Sequence, residues 1–300
     1  MSPIALLKAM RPHQWVKNVF VLAALLFAMG ERHSLVPETQ IAIQVAFAVA
    51  AFCLGSSAIY LVNDVMDIES DRKHPTKCKR PIAAGEVALP VALVASGFCV
   101  LAALGLGQLA STSAGSVTLV VACYMVMNFM YSWKLKHVAI LDAFCIATGF
   151  LLRVLTGGIA AEAPVSHWLM LCTLFLALFL ALCKRKAEID LLGEGRGEHR
   201  KILREYTPEF LDQAVGIAAA CAILCYTMYT VAEETTQKFG AGHGLGWTVP
   251  FVVFGLFRYL LLVQTQRGGG SPTRMLLGGD LVFVLNAVGW LATVALLLFR

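Results

Sequence analysis

Charge is scarce in this 300-residue chain: 14% of residues are Asp, Glu, Lys or Arg, against 58% hydrophobic. A soluble domain carries about a quarter charged residues, so this chain cannot cover a water-facing surface of its own size. The shortage excludes intrinsic disorder, and it sets aside a soluble nucleic-acid binder despite a formal net charge of +5. A CxxC pair is also missing. The nine cysteines mostly lie in apolar runs, and the close pair Cys221 and Cys225 shares one helix face, so they read as small core residues rather than a zinc site or disulfide framework. No cleavable leader is visible: the first apolar stretch, Val16–Gly30, follows Lys8, Arg11 and Lys17 without a small-residue exit, and is expected to be a retained helix. Period-two alternation is lacking too, which argues against a β-barrel.

Long apolar runs are what the chain has. A bilayer core needs roughly 20 apolar residues per helix, and nine windows reach or approach that length: Val16–Gly30, Ile41–Val62, Ala88–Leu109, Ala114–Trp133, Val138–Ala161, Ser166–Cys183, Leu211–Ala232, Trp247–Gln264 and Leu281–Phe299. The expected fold is all-α, a single polytopic transmembrane domain over residues 1–300 with nine helices. Positive charge sets its orientation. One side collects Lys8, Arg11, Lys17, the Arg72–Arg80 cluster, Lys134, Lys136, the Lys184–Arg204 cluster, Arg267 and Arg274; the other has Arg32, Lys238 and Arg300. This places the N-terminus in the cytoplasm together with the two longest polar loops, Asn63–Val87 and Lys184–Phe210. A bacterial inner membrane protein with cytoplasmic chemistry is the reading that follows. A transporter or flippase would want its groups near the bilayer midplane.

The strongest chemical signal is Asn63-Asp64-Val-Met-Asp67-Ile-Glu-Ser-Asp71. Helical continuation of the second window would put Asp64, Asp67 and Asp71 on one face, where they repel unless a cation sits between them. Mg2+ suits them, since it takes oxygen ligands and bridges carboxylates to substrate phosphates; Asn63, Asp64, Asp67 and Asp71 are the candidate ligands. Directly after come Arg72, Lys73, Lys77, Lys79 and Arg80, suited to phosphate oxygens, or to anionic lipid as an ordinary cytoplasmic loop. The second loop opens with Lys184 and Arg185, and Lys184 shares a helix face with Glu188, a candidate second acidic element or a surface ion pair. Tyr131 and Lys136 close the fourth window, and Asp142 lies about one turn inside the fifth, where a buried acid is a functional candidate expected to pair with a lysine. Arg153 and Arg258 fall within windows and read equally as structural pairs. Arg11-Pro-His-Gln-Trp-Val-Lys17-Asn18 is an interfacial anchor or a headgroup contact.

The Asn-Asp-x-x-Asp-x-x-x-Asp run, trailed by Arg80-Pro-Ile-Ala-Ala-Gly85, resembles the first signature of the UbiA superfamily of intramembrane prenyltransferases, and the helix count extends the resemblance to essentially the whole chain. Arg11-Pro-x-Gln-Trp-x-Lys-Asn18, His74-Pro-Thr-Lys77 and Lys184-Arg-x-Ala-Glu188 are similar to its decaprenyl-phosphate phosphoribosyltransferase branch. That resemblance implies 5-phosphoribosyl 1-diphosphate as donor, a polyprenyl phosphate as acceptor, Mg2+ as cofactor and a role in cell-wall precursor synthesis. It implies catalytic roles for Asp64, Asp67, Asp71 and Glu188, with Lys17, Asn63, Arg72, Lys77, Arg80, Tyr131, Lys136, Asp142, Lys184 and Arg185 around the substrates; a homo-oligomer is a further expectation. The chain departs from the superfamily in its second Asp-x-x-x-Asp motif: the same region offers Glu188, with Asp190 off its face and Glu194 beyond Gly193. Transfer of a polyprenyl group from its diphosphate to an aromatic acceptor is the alternative.

Overall fold

The computed structural model describes residues 3–22, 37–111, 115–192, 201–233, 235–236, 244–265 and 280–298. Every regular element among them is helical, and the chain divides into two compact units.

The first unit comprises Met1–Val138 and Leu152–Pro164. It contains α1 (Pro3–Ala9), a 3-10 turn at Pro12–Asn18, α2 (Glu38–Met66), α3 (Ile68–Lys73), α4 (Leu89–Leu109) and α5 (Ser116–Trp133). Helix α2 packs along α4 and α5. Its buried face is dominated by small residues, Ala48, Ala51, Gly55, Ser56, Ser57 and Ala58, which let backbones approach without relying on hydrophobic exclusion of water. The α4–α5 contact is close at Gly107, where a Cβ would stand 3.1 Å from the Thr118 Cα. Gly107→Ala should therefore force the two helices apart at a cost of about 1–3 kcal/mol, read as a lower thermal midpoint of the purified protein. Ala5, Ala9, Leu61, Ile82, Val87 and Ala92 form a smaller core that ties α1 and the end of the first polar loop to α2 and α4.

The second unit comprises Ala139–Leu151 and Val165–Arg300. It takes the first part of α6 (Leu141–Ala160), then α7 (His167–Leu192), α8 (Pro208–Val231), α9 (Val249–Gln264) and α10 (Leu281–Leu298). Thr207 caps α8, its hydroxyl accepting the Phe210 amide at 3.1 Å. The core gathers Phe179, Leu211 and Tyr259 with Ile202, Leu203 and Tyr206.

Seven helices among the described residues are long and apolar enough to cross a membrane, and Leu281–Leu297 is a shorter apolar helix. The described part of the Val16–Gly30 window opens as the Pro12–Asn18 3-10 turn, and its remainder from residue 23 lies outside the described residues. Helix α7 also continues past Cys183 to Leu192, so Lys184–Asp190 are helical rather than loop. No helix breaker intervenes before Gly193, and continuation buries Ile189. The other end of that expected loop is buried through Ile202, Leu203 and Tyr206.

Candidate active site

The acidic run does not continue α2 as one helix. Asp67 leaves helical geometry (φ −94, ψ 8) and α3 starts anew at Ile68. The break separates the three acids into two directions. Asp64 and Asp71, 1% and 2% exposed, both accept from Arg80, whose Nη1 lies 3.1 Å from Asp64 Oδ1 and 2.6 Å from Asp71 Oδ2. Asp67 turns instead to Lys136, whose Nζ donates at 2.7 and 3.0 Å to its two carboxylate oxygens. A further cation, Arg11, donates to Asp64. Arg11 sits in the left-handed region at φ 55, which costs an L-residue about 1–2 kcal/mol. Pro12 disfavours the right-handed helical region for the residue before it, and the guanidinium is held between Asp64 and the Tyr60 ring, 4.9 Å from the centroid. Arg11 and Lys17, after burial, also push His13 below its ordinary pKa.

The remaining candidates of this unit lie on neighbouring elements. Asn63 is half-buried in the last turns of α2, with its carbonyl accepting the Asp67 amide. Arg72 Nε donates to the Ala83 carbonyl at 3.2 Å. Lys77 opens a short 3-10 turn whose entry is pinned by His74 Nδ1 accepting the Thr76 amide at 3.2 Å. Tyr131 lies in the last turn of α5, and Lys17 on the Pro12–Asn18 turn.

The donor set formed by Asn63, Asp64, Asp67 and Asp71 is all oxygen, the chemistry a hard divalent ion requires. Among the described residues no three His, Cys, Asp or Glu converge as a preformed ion cage; each acid faces a cation instead. The residues fit such an ion by type, and loading it would shift Arg80 or Lys136 off the carboxylates.

In the second unit, Asp142 is fully buried and its partner is an arginine and a tyrosine, where a lysine was expected. Arg185 Nε donates to its Oδ2 at 2.6 Å and the Tyr206 hydroxyl to its Oδ1 at 2.6 Å. Arg185, 1% exposed, spends a second nitrogen on Glu188 Oε2 at 2.7 Å. It is thus embedded in protein, while Lys184 is exposed, its Nζ 3.9 Å from the other Glu188 oxygen. The Tyr206 hydroxyl also accepts the amide of Ile140 at 2.7 Å, a β-branched residue at φ 69 immediately ahead of α6. Burial and then the hydrogen bond to Asp142 raise the Tyr206 pKa. Asp190 is exposed, and Glu194 lies outside the described residues. Tyr206→Phe would strand a carboxylate oxygen and a strained amide, destabilising by about 1–3 kcal/mol for each group left unsatisfied; thermal unfolding measures it.

Sequence reasoning underweighted Arg11 and missed the positioning part of Tyr206. The first had a signal, a basic residue before proline at a membrane entry; Tyr206 had none, because the pairing crosses a long stretch of chain. Lys186 donates to Asp212, and Arg258 makes bonds of 3.1 and 2.7 Å to Asp280, so the intramembrane Arg258 has a structural partner.

Residues 18–286 match the UbiA prenyltransferase family. The decaprenyl-phosphate phosphoribosyltransferase of Corynebacterium glutamicum is 36% identical over 297 residues, covering 98% of this chain and 86% of the relative. Its namesake in Mycobacterium tuberculosis is also 36% identical, covering 96% of this chain and 92% of the relative. Among solved structures, a UbiA homologue from Archaeoglobus fulgidus bound to DMAPP and Mg2+ superposes with a TM-score of 0.69 at 16% identity, covering 97% of this chain and 99% of that one. The chain is a multi-pass membrane protein and belongs to the UbiA prenyltransferase family.

Proposed function

We propose that this protein transfers 5-phosphoribose from 5-phosphoribosyl 1-diphosphate to a decaprenyl-type polyprenyl phosphate, in a bacterial plasma membrane, with the site facing the cytoplasm. The observation that carries the reading most is the cluster in the first unit, three carboxylates interleaved with Arg11, Arg80 and Lys136, in a chain whose relatives bear that activity in their names over nearly its full length. A divalent ion such as Mg2+ on Asp64, Asp67, Asp71 and Asn63 would neutralise the departing diphosphate. Arg80, Lys136 and Arg11 exchange carboxylate oxygens for phosphate oxygens as donor enters, a swap between anionic partners that keeps each cation satisfied. The bond from ribose C1 to the diphosphate oxygen breaks with its electron pair leaving on diphosphate. An oxygen of the polyprenyl phosphate forms the new bond to C1. The acceptor is already anionic, so no general base is required, and nearby carboxylates stabilise oxocarbenium character at C1. Lys17, Arg72, Lys77 and Tyr131 are further candidates for the phosphate groups; on the second unit, taken by itself, Lys184 is a candidate phosphate contact and Glu188 a candidate acid.

The donor's 5-phosphate supplies the test. A ribosyl donor lacking it should be a poor substrate, and Arg80→Ala should raise the KM for the full donor by about tenfold or more, the loss of a charged partner being worth a few kcal/mol. Equal turnover of the two donors would refute the assignment. Orientation is checked at Cys78, beside the basic cluster: an impermeant maleimide should label it in inside-out vesicles and spare it in intact cells, with Cys78→Ser as control.

A further inference from the structure

Arg153 takes no part in the reaction above, yet it lies inside a membrane-length helix, α6, roughly 18 Å along the axis from its first residue at about 1.5 Å per residue. It is 5% exposed, an expensive position for a charge. Its fork reaches two elements at once. Nε donates to Asn18 Oδ1 at 2.8 Å and Nη2 to the Tyr124 hydroxyl at 3.0 Å, while its guanidinium lies over the rings of Tyr124 and Phe52, 4.7 and 5.3 Å from their centroids. Tyr124 and Phe52 belong to α5 and α2, which pack on each other in the first unit. Asn18 belongs to the Pro12–Asn18 turn, and 3-10 geometry holds itself together poorly. What fastens that turn is its side chains: Asn18 Nδ2 donates to Cys53 Sγ at 3.2 Å, and Trp15 Nε1 to Ser57 Oγ at 3.0 Å. The Ser57 hydroxyl in turn donates to the Met10 carbonyl at 3.0 Å. Between Met10 and the turn stands Arg11, strained and directed at Asp64.

We infer that Arg153 is a positioning residue: through Asn18 it docks the N-terminal turn and so places Arg11 on Asp64. The planar fork presents fixed donors to two partners on different elements, a geometry that the point charge of a lysine ammonium does not reproduce. The inference rests on the donor-site reading for its kinetic consequence, while the docking itself is measurable without it. In the purified full-length protein, Arg153→Met and, as a milder second variant, Asn18→Ala should each speed amide hydrogen exchange over residues 11–18. Each should raise donor KM by about tenfold, the usual size for a residue supporting a ligand-binding group, with kcat little changed. In an Arg11→Ala background neither change should add a further KM increase, since coupled residues are non-additive. Unchanged exchange over residues 11–18, or a KM increase of the same size with Arg11 already removed, overturns the inference. Faster exchange in a protein whose donor KM is indifferent to Arg11→Ala upholds the docking role and sinks the donor-site reading instead.

Discussion

Replacing Asp67 by Asn is expected to lower phosphoribosyl transfer by at least about a hundredfold, the scale of removing one group that stabilises developing charge, while the protein stays folded. Asn keeps the size of the side chain and an acceptor for Lys136, and takes away only charge. Its carboxylate is 28% exposed and Lys136 14%, so water reaches the pair and the cation left behind is not stranded. Asp64, 2% exposed at its side chain and bonded to two arginines, is a less clean choice because its loss would also unbalance Arg11 and Arg80. Turnover in a membrane assay, together with the melting profile of the same preparation, separates the two effects. Retained activity would remove Asp67 from the reaction, and loss of folding would make it structural.

Arg185→Ala should have the opposite profile, a folding defect ahead of any kinetic one. The ion pair it makes with Asp142 is among the most enclosed in the described residues, 1% and 0% exposed at the two side chains. Deleting one partner of a buried pair costs about 3–5 kcal/mol because the other charge is left uncompensated. That is a large fraction of the roughly 5–15 kcal/mol typical of a domain, and the variant should be recovered in low yield with a strongly reduced thermal midpoint. Lys184→Ala, at the exposed neighbouring position, should fold normally. Equal stability of the two variants would contradict the burial argument. This comparison also separates two adjacent residues that both looked like phosphate ligands in the sequence.

The membrane class, the helix positions and the family were legible because they rest on local signals. Apolar runs mark most described spans within a few residues, as at Ala88–Leu109 against the observed Leu89–Leu109, although α7 runs on past its window to Leu192, and the Asn63–Asp71 spacing is contiguous. What the sequence hid depends on contacts between distant segments. Nothing around Arg11 announces that it meets Asp64, or around Lys136 that it meets Asp67, and no glycine or proline marks the break at Asp67. Tyr206 reads as an ordinary loop tyrosine until α6 and the end of the second polar stretch are brought together. Even the charge count that orients the chain treats Arg185 as a loop cation, although it is spent inside the second unit.

The most direct measurement is the fate of labelled 5-phosphoribosyl 1-diphosphate incubated with the purified protein, decaprenyl phosphate and Mg2+. Label should move into an organic-extractable lipid phosphate, with one diphosphate released per transfer, and the reaction should stop when the metal is chelated with EDTA. Consumption of a prenyl diphosphate with an aromatic acceptor, and none of the phosphoribosyl donor, would contradict it.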